Sequence, residues 1–156
     1  MPNIRWLLAL ITALHRWLYR ATRGVIGHRI PLMNWRCLLL THVGRKTGRS
    51  YTVPLLYVPD GNNVVIVGSN AGDGKDPAWW RNLEAQPEAC VQVGAEQLTV
   101  RAHLAGGDER RRIWAALVAN YPDYRRYERK TQGRREIPVV VLERTGKAGR
   151  VSSARG

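Results

Sequence analysis

Between two apolar runs lies Gly44-Arg45-Lys46-Thr47-Gly48-Arg49, three cations and two glycines within six residues. Guanidinium and ammonium groups hold phosphate or carboxylate through charge-assisted hydrogen bonds, and glycines let backbone amides come close to the same anion. The segment reads as an anion holder without hydrolytic machinery, or equally, taken alone, as a solvated hairpin tip. It misses the phosphate-loop pattern, with one residue too few between the glycines and Arg49 where lysine is required. Gly74-Lys75 lacks the preceding glycine and runs into Asp76, so NTP hydrolysis is not expected. A second candidate is the stretch from Gly68 to Trp80, a loop of turn formers running into a helix start. The free N–H groups and positive dipole end of such a start can receive a carboxylate or an electronegative ring edge; ordinary capping is the plainer alternative. A third is Tyr121, Tyr124 and Tyr127, whose spacing by three places them on one helical face beside Arg125, Arg126, Arg129 and Lys130. Such a stripe usually belongs to a core, but here it brings three hydroxyls.

Other chemistries find no support. His15, His28, His42 and His103 are scattered, so neither a metal site nor a histidine-based triad is expected. Cys37 and Cys90 each sit in an apolar run and read as small core residues, not as a disulfide, a zinc pair or a nucleophile.

These residues must be positioned by the elements around them. Ile4, Leu7, Leu8, Ile11, Leu14 and Leu18 recur at helical spacing, so residues 3–23 read as an amphipathic helix with Trp6 and Trp17 near its ends. Cys37–His42 reads as a buried strand, and Tyr51–Val58 as its hairpin partner across the basic loop. Pro54 removes a ladder donor, which puts it at an edge, a bulge or a place where something else meets the sheet. Asn63–Gly68 is a third strand. Asp76 as N-cap with Pro77 at N1 starts a short helix through Trp79, Trp80 and Leu83. Val91–Val93 and Gln97–Leu104 form a second hairpin about Gly94. Asp108 caps a helix whose Ile113, Trp114, Leu117 and Val118 face the core, and a further helical piece runs to about Lys130. Ile137–Leu142 is the last strand, and residues 145–156 form a basic tail. Six strands arriving mostly as hairpins suit an α+β protein whose antiparallel sheet closes into a partial barrel with helices attached, not a doubly wound parallel sheet. The chain divides into the helix of residues 1–23, a domain of residues 24–144 and the tail.

The 156 residues carry 25 Lys and Arg against 12 Asp and Glu, a net +13 concentrated toward the two ends. That charge implies polyanionic company: nucleic acid, an anionic membrane face, or a phosphorylated and carboxylated small molecule. No nucleic-acid motif accompanies it, so no nucleic-acid partner is expected. The apolar run Trp6–Leu14 falls far short of the roughly 20 residues that span a bilayer. No cleavage pattern follows it, so a cytoplasmic protein is expected.

The ordered set Leu39-Leu40-Thr41, Gly44-Arg45-Lys46-Thr47-Gly48, Pro54-Leu55-Leu56-Tyr57, Gly68-Ser69-Asn70 and Pro77-Ala78-Trp79-Trp80-Arg81-Asn82-Leu83 resembles the deazaflavin-dependent nitroreductase family of actinobacteria, over about residues 20–144. The resemblance implies a split β-barrel of the FMN- and deazaflavin-binding type. It also implies coenzyme F-420, whose phosphodiester and oligoglutamate tail make it a polyanion; FMN is the second choice. Carried over by position, Arg45, Lys46 and Thr47, with Arg49 and Tyr51 beside them, match the loop that holds the phosphate and tail. Pro54, Leu55 and Leu56 match the strand beneath the cofactor; Val67, Gly68, Ser69 and Asn70, with Ala78, Trp79, Trp80, Arg81 and Asn82, match the cradle of the ring. Tyr121, Tyr124 and Tyr127 fall at substrate-pocket positions, with Tyr127, Tyr121 and Ser69 the candidate catalytic hydroxyls. The chain departs from the family in having Tyr51 where many members have arginine, and Asn70 where some have lysine.

The function implied is hydride transfer from reduced F-420 to a quinone, enone or nitro-type acceptor, by a monomer or weak dimer. A cofactor requires of its protein only binding, orientation and exclusion of water, which agrees with the lack of catalytic motifs. The two departures motivate a rival, a cofactor-free lipid- or fatty-acid-binding barrel. For residues 3–23 two readings stay open: a helix lying on the anionic inner face of the membrane, or one packed across the open side of the barrel.

Overall fold

The computed structural model describes residues 35–147, together with the backbone of residues 29–30 and the single residue Trp17, which is helical and exposed. The rest of the helix expected over residues 3–23 and the tail beyond residue 147 lie outside the described residues.

The nine residues Trp35–Val43 form β2, the strand on which the sheet closes. On one side β2 pairs with β3 (Ser50–Asp60), in a register that sets Leu39 opposite Pro54 and His42 opposite Tyr51. On the other side it pairs with β5 (Glu88–Val93), Leu40 facing Val91. A two-residue β1 (Arg29–Ile30) adds to the start of β2. The remaining strands are β4 (Asn63–Val67), β6 (Glu96–Leu104) and β7 (Val139–Lys147). The sheet runs β1-β2-β3-β4-β7-β6-β5, every pairing is antiparallel, and the β5–β2 ladder shuts the last six into a barrel. Closure gives the ladder groups of β2 and β5 partners that an open sheet would leave at its edges. One gap survives on β3, where β4 pairs only Tyr57–Asp60 and leaves Ser50–Leu56 bonded on the β2 side alone. Pro54 lies in that one-sided stretch, where its missing donor is tolerated.

Alternation along the strands builds two cores. Val64, Ile66, Val140 and Leu142 point inward with Leu38, Leu40, Val91, Leu98 and Val100. The intervening Val65, Val67, Val139 and Val141 point outward, where α2 (Gly107–Asn120), α3 (Asp123–Thr131) and the junction between them cover them with Ile113, Leu117, Val118, Tyr121 and Tyr124. Strands buried on both faces need apolar residues at successive positions, which explains the unbroken runs 64–67 and 139–142. The inner core also contains Trp79, Trp80 and Leu83 of α1 (Ala78–Ala85), so this eight-residue helix plugs the barrel.

Several boundaries differ from expectation. Asp76 does not cap α1; Pro77 takes the cap position, because the Asp76 carboxylate is held by Arg135, whose Nη1 lies 2.8 Å from Oδ1. Asp108 does not cap α2 either; the cap is Gly106, and Asp108 pairs along the helix with Arg111. β7 continues past Leu142 to Lys147, pairing with β6 through a bulge at Thr99/Val100, so residues 145–147 are strand. Cys37 is buried but Cys90 is exposed, since Val91 takes the inward position on β5. Tyr121 stands just past the end of α2, while Tyr124 and Tyr127 belong to α3, so the three do not share one helix.

Candidate functional site

A cleft of about 510 Å³ opens at one rim of the barrel, between the β2–β3 loop and α1. β2 contributes His42 to it, the loop contributes Gly44 to Thr47, β3 contributes Tyr51 to Val53, and α1 contributes Ala78, Trp79 and Asn82. No carboxylate lines it, and Arg45 and Lys46 do.

The loop owes its shape to two backbone hydrogen bonds, Gly44 N–H to the Arg49 carbonyl and Gly48 N–H to the Gly44 carbonyl, each at 2.8 Å. Gly48 has φ +67°, a left-handed conformation that costs glycine nothing. Thr47 Oγ1 accepts the Arg49 N–H at 3.3 Å and lies 3.0 Å from the Tyr51 hydroxyl. Tyr51 stacks on His42 with ring centroids 6.0 Å apart. The loop is thus braced from β3 while Arg45, Lys46, Thr47 and Arg49 remain exposed.

Below the loop, three side chains fix one another. Asn82, 6% exposed, accepts at Oδ1 from the Arg45 N–H at 3.1 Å and from Arg45 Nη1 at 2.9 Å; its Nδ2 lies 3.2 Å from Nδ1 of His42. Both Arg45 groups only donate, so the oxygen of the amide must face them and its NH₂ must face the imidazole. Nδ1 of His42 is therefore the acceptor, and the ring proton sits on Nε2. Burial pushes the His42 pKa below its ordinary value, against a smaller upward influence from a backbone hydrogen bond at Val43.

The second predicted segment, 68–76, is held by Arg135. Its guanidinium donates to the carbonyls of Gly68 (3.0 Å), Ser69 (2.8 Å) and Asp73 (2.9 Å) and to the Asp76 carboxylate. Asn70 and Ala71 adopt φ +45° and +54° in the resulting turn, and Asn70 Nδ2 donates to the Lys75 carbonyl. A Cβ on Gly72 would lie 2.9 Å from Lys130 Cδ and 3.3 Å from Tyr127, so this turn packs on α3.

The residues expected around a cofactor therefore fall into groups. Arg45, Lys46, Thr47, Tyr51, Ala78, Trp79 and Asn82 line one cleft. Arg49 lies on the same loop, and Pro54, Leu55 and Leu56 continue along β3, outside the cleft lining. Val67, Gly68, Ser69 and Asn70 lie at the end of β4 and in the Arg135-held turn; Trp80 faces the barrel core and Arg81 is exposed, paired with Glu84. The tyrosines are brought together, with ring centroids 5.9 Å apart for Tyr121 and Tyr124 and 6.2 Å for Tyr124 and Tyr127, but in the outer core and not in the cleft. The Tyr121 hydroxyl accepts the Arg36 N–H at 3.4 Å, and burial, first, and the two neighbouring tyrosines, second, raise the Tyr124 pKa. His42 and Arg135 were not anticipated, because their partners lie 40 and as many as 67 positions away.

A larger hollow of about 590 Å³ lies beside the end of α3. Two of its arginines are already committed, Arg135 to the 68–76 turn and Arg110 to Glu136 and the Ile137 carbonyl. The rim cleft is the better anion receiver because its cations face no acid.

A helix-plugged antiparallel barrel with such a cleft at its mouth defines the class of split-barrel proteins. Comparison with known sequences narrows the class: the family model described as F420H(2)-dependent quinone reductase matches residues 12–144, and the chain belongs to that family. The F420H(2)-dependent quinone reductase of Mycobacterium tuberculosis is 39% identical over 134 residues, 84% of this chain and 88% of that one. A second chain of that organism, named for the same activity, is 42% identical over 116 residues, 74% of this chain and 93% of its own. A solved F420-H2 dependent reductase superposes with a TM-score of 0.63 at 37% identity, covering 69% of this chain and 93% of that one.

Proposed function

We propose that this chain reduces quinones with reduced coenzyme F-420, and that its acceptors extend to activated enones and nitro compounds. The observation that carries the reading is the cleft in which Arg45 and Lys46 stand without a carboxylate, in a member of this family. The donor set fits the cofactor: two cationic side chains and a glycine-bearing loop suit a phosphodiester and a carboxylate tail, and the apolar Trp79 and Val53 suit the edge of a ring system.

When bound, the reduced deazaflavin supplies a hydride. Arg45, Lys46 and Thr47 would hold the anionic part, with Asn82 keeping Arg45 in place, and Trp79 with Ala78 would limit water on the α1 side. An acceptor oxygen gains negative charge as hydride arrives, and a hydroxyl placed there stabilises that charge. Ser69, which opens the 69–72 turn, and Tyr127, whose ring packs on Gly72, are assigned this role ahead of Tyr121, whose hydroxyl takes a backbone donor. Both lie outside the lining of the rim cleft, so the role requires the acceptor to reach that turn.

We further propose that the chain works on the cytoplasmic face of the membrane, with residues 3–23 as the surface contact. No helix among the described residues is long and apolar enough to cross a bilayer. Vesicle co-sedimentation at two salt concentrations tests the surface contact. Retention on anionic lipid that weakens with salt supports it, and no retention removes it.

The test of the function is parallel titration with F-420 and FMN, followed by quinone turnover with reduced F-420. Micromolar binding of F-420, weaker binding of FMN, and quinone-dependent oxidation of reduced F-420 are expected. Absence of F-420 binding at micromolar levels would replace this reading by the lipid-binding barrel.

A further inference from the structure

We propose that His42 is a positioning residue for the basic loop: by accepting from Asn82 at Nδ1 it orients the Asn82 amide so that Arg45 is held for an anion in the cleft. The proposal rests on the reading of the cleft as the F-420 site, and its argument begins with Asn82. An amide can turn over, exchanging oxygen for nitrogen with little change of shape. Only one of its two settings gives Arg45 an acceptor. Arg45 favours that setting from one side and, with the ring proton on Nε2, the acceptor at Nδ1 favours it from the other, because turning the amide would set its oxygen against the Nδ1 lone pair. Two donor groups of Arg45, one backbone and one guanidinium, depend on the result.

The arrangement works only with a neutral ring. A proton added at Nδ1 would oppose the Asn82 NH₂ donor to donor, and the amide would turn away from Arg45. The charged and titratable groups around the ring are Arg45 and Lys46 on the loop and Tyr51 on β3; α1 presents the uncharged Asn82 and Trp79, and β5 reaches along β2 only to Thr41, opposite Cys90. No carboxylate among these would stabilise an imidazolium, and burial disfavours it more than the backbone hydrogen bond at Val43 favours it. Acidification below the ordinary histidine range should therefore loosen the hold on the anion. A purely Coulombic role for His42 predicts the reverse, since an added positive charge would tighten it.

The experiment uses the full chain and its His42→Asn and His42→Leu variants. Asparagine keeps an acceptor near the place of Nδ1 but does not titrate, and leucine removes the acceptor. ¹⁵N spectra of the imidazoles, without cofactor, should show His42 at neutral pH with its proton on Nε2; a proton on Nδ1 would overturn the proposal directly. F-420 affinity, measured by equilibrium binding between pH 7.5 and 4.5, should fall about tenfold in His42→Leu and less than about threefold in His42→Asn at pH 7.5. The wild type should lose more affinity than His42→Asn as pH falls. Matching pH profiles for those two proteins, or rising wild-type affinity in acid, would overturn the positioning role. If His42→Leu does not fold, the comparison of wild type with His42→Asn still decides. If wild-type protein binds no F-420, the function reading fails. The positioning role is then judged by the imidazole spectra and by whether slow exchange of the Asn82 amide protons survives in His42→Asn and is lost on acidifying the wild type.

Discussion

Tyr51 lies so closely over Gly44 that a Cβ on the glycine would sit 2.5 Å from the tyrosine Cε2 and 2.8 Å from Thr47 Oγ1. The ring occupies the volume any other residue at 44 would need, and from there its hydroxyl reaches Thr47. At a position where the resemblance to the family implied arginine, Tyr51 contributes a brace to the basic loop instead of a charge.

Gly44→Ala should therefore displace the exposed Tyr51 ring more than it unfolds the protein. Thermal melting is expected to change little, while F-420 affinity drops severalfold as Thr47 loses its brace. A large loss of stability with unchanged affinity of the folded fraction would show that the glycine serves the hairpin and not the cleft.

Lys46→Ala should weaken F-420 more than a deazaflavin without the anionic tail. A hydrogen bond to a charged group contributes roughly 1.5–3 kcal/mol, so the loss is about tenfold or more for the full coenzyme. Equal losses for both ligands would move Lys46 away from the tail.

Tyr127→Phe should lower quinone turnover with little change in F-420 affinity, because ring packing survives and only the hydroxyl is lost. Tyr121→Phe should act on stability instead, by about 1 kcal/mol, since its hydroxyl serves the Arg36 N–H. Steady-state kinetics and thermal melts on both variants separate the two roles; the opposite pattern would reverse the assignment.

Arg135→Met should destabilise the fold by about 2–4 kcal/mol, because three carbonyls and the Asp76 carboxylate lose a common donor while the site is half-buried. Urea titration gives the magnitude, and amide exchange should show the loss of protection concentrated in residues 68–76. Unchanged protection there would assign the loop's order to other contacts.

Of the two thiols, Cys90 should react promptly with a disulfide reagent, being exposed on β5. Burial pushes the Cys37 pKa up to about 11, so this thiol stays protonated at neutral pH and should react only on unfolding. Two equally fast thiols in the native protein would contradict the placement of Cys37.

The barrel was legible because its strands obey local rules: runs such as Val64–Val67 and Val139–Leu142, and hairpin signals at Asp60-Gly61-Asn62 and Gly94, mark where the chain must lie and turn. The helix starts were less so. Asp76 has the type and place of a cap, and only the arrival of Arg135 from 59 residues on diverts its carboxylate. The anion loop was readable from composition, but its anchor was not, because His42 looked like one scattered histidine and its meaning comes from Asn82 across the barrel rim. Tyrosines spaced by three suggested one helix face; Pro122 splits them between a helix end and the next helix, and the rings meet all the same.

The turn after β4 takes its course from a guanidinium that is not part of it. Every hydrogen bond from Arg135 to Gly68, Ser69 and Asp73 ends on a carbonyl, a group that all amino acids possess, so the shape is indifferent to most side chains along the segment. Positions 71, 74 and 75 can then drift without the segment losing its path, provided the left-handed backbone at 71 is respected, while Asn70 stays tied by its amide to the Lys75 carbonyl. Divergence in which acceptors such barrels prefer has a ready place to occur: a loop whose contour is inherited from elsewhere and whose surface is open to change.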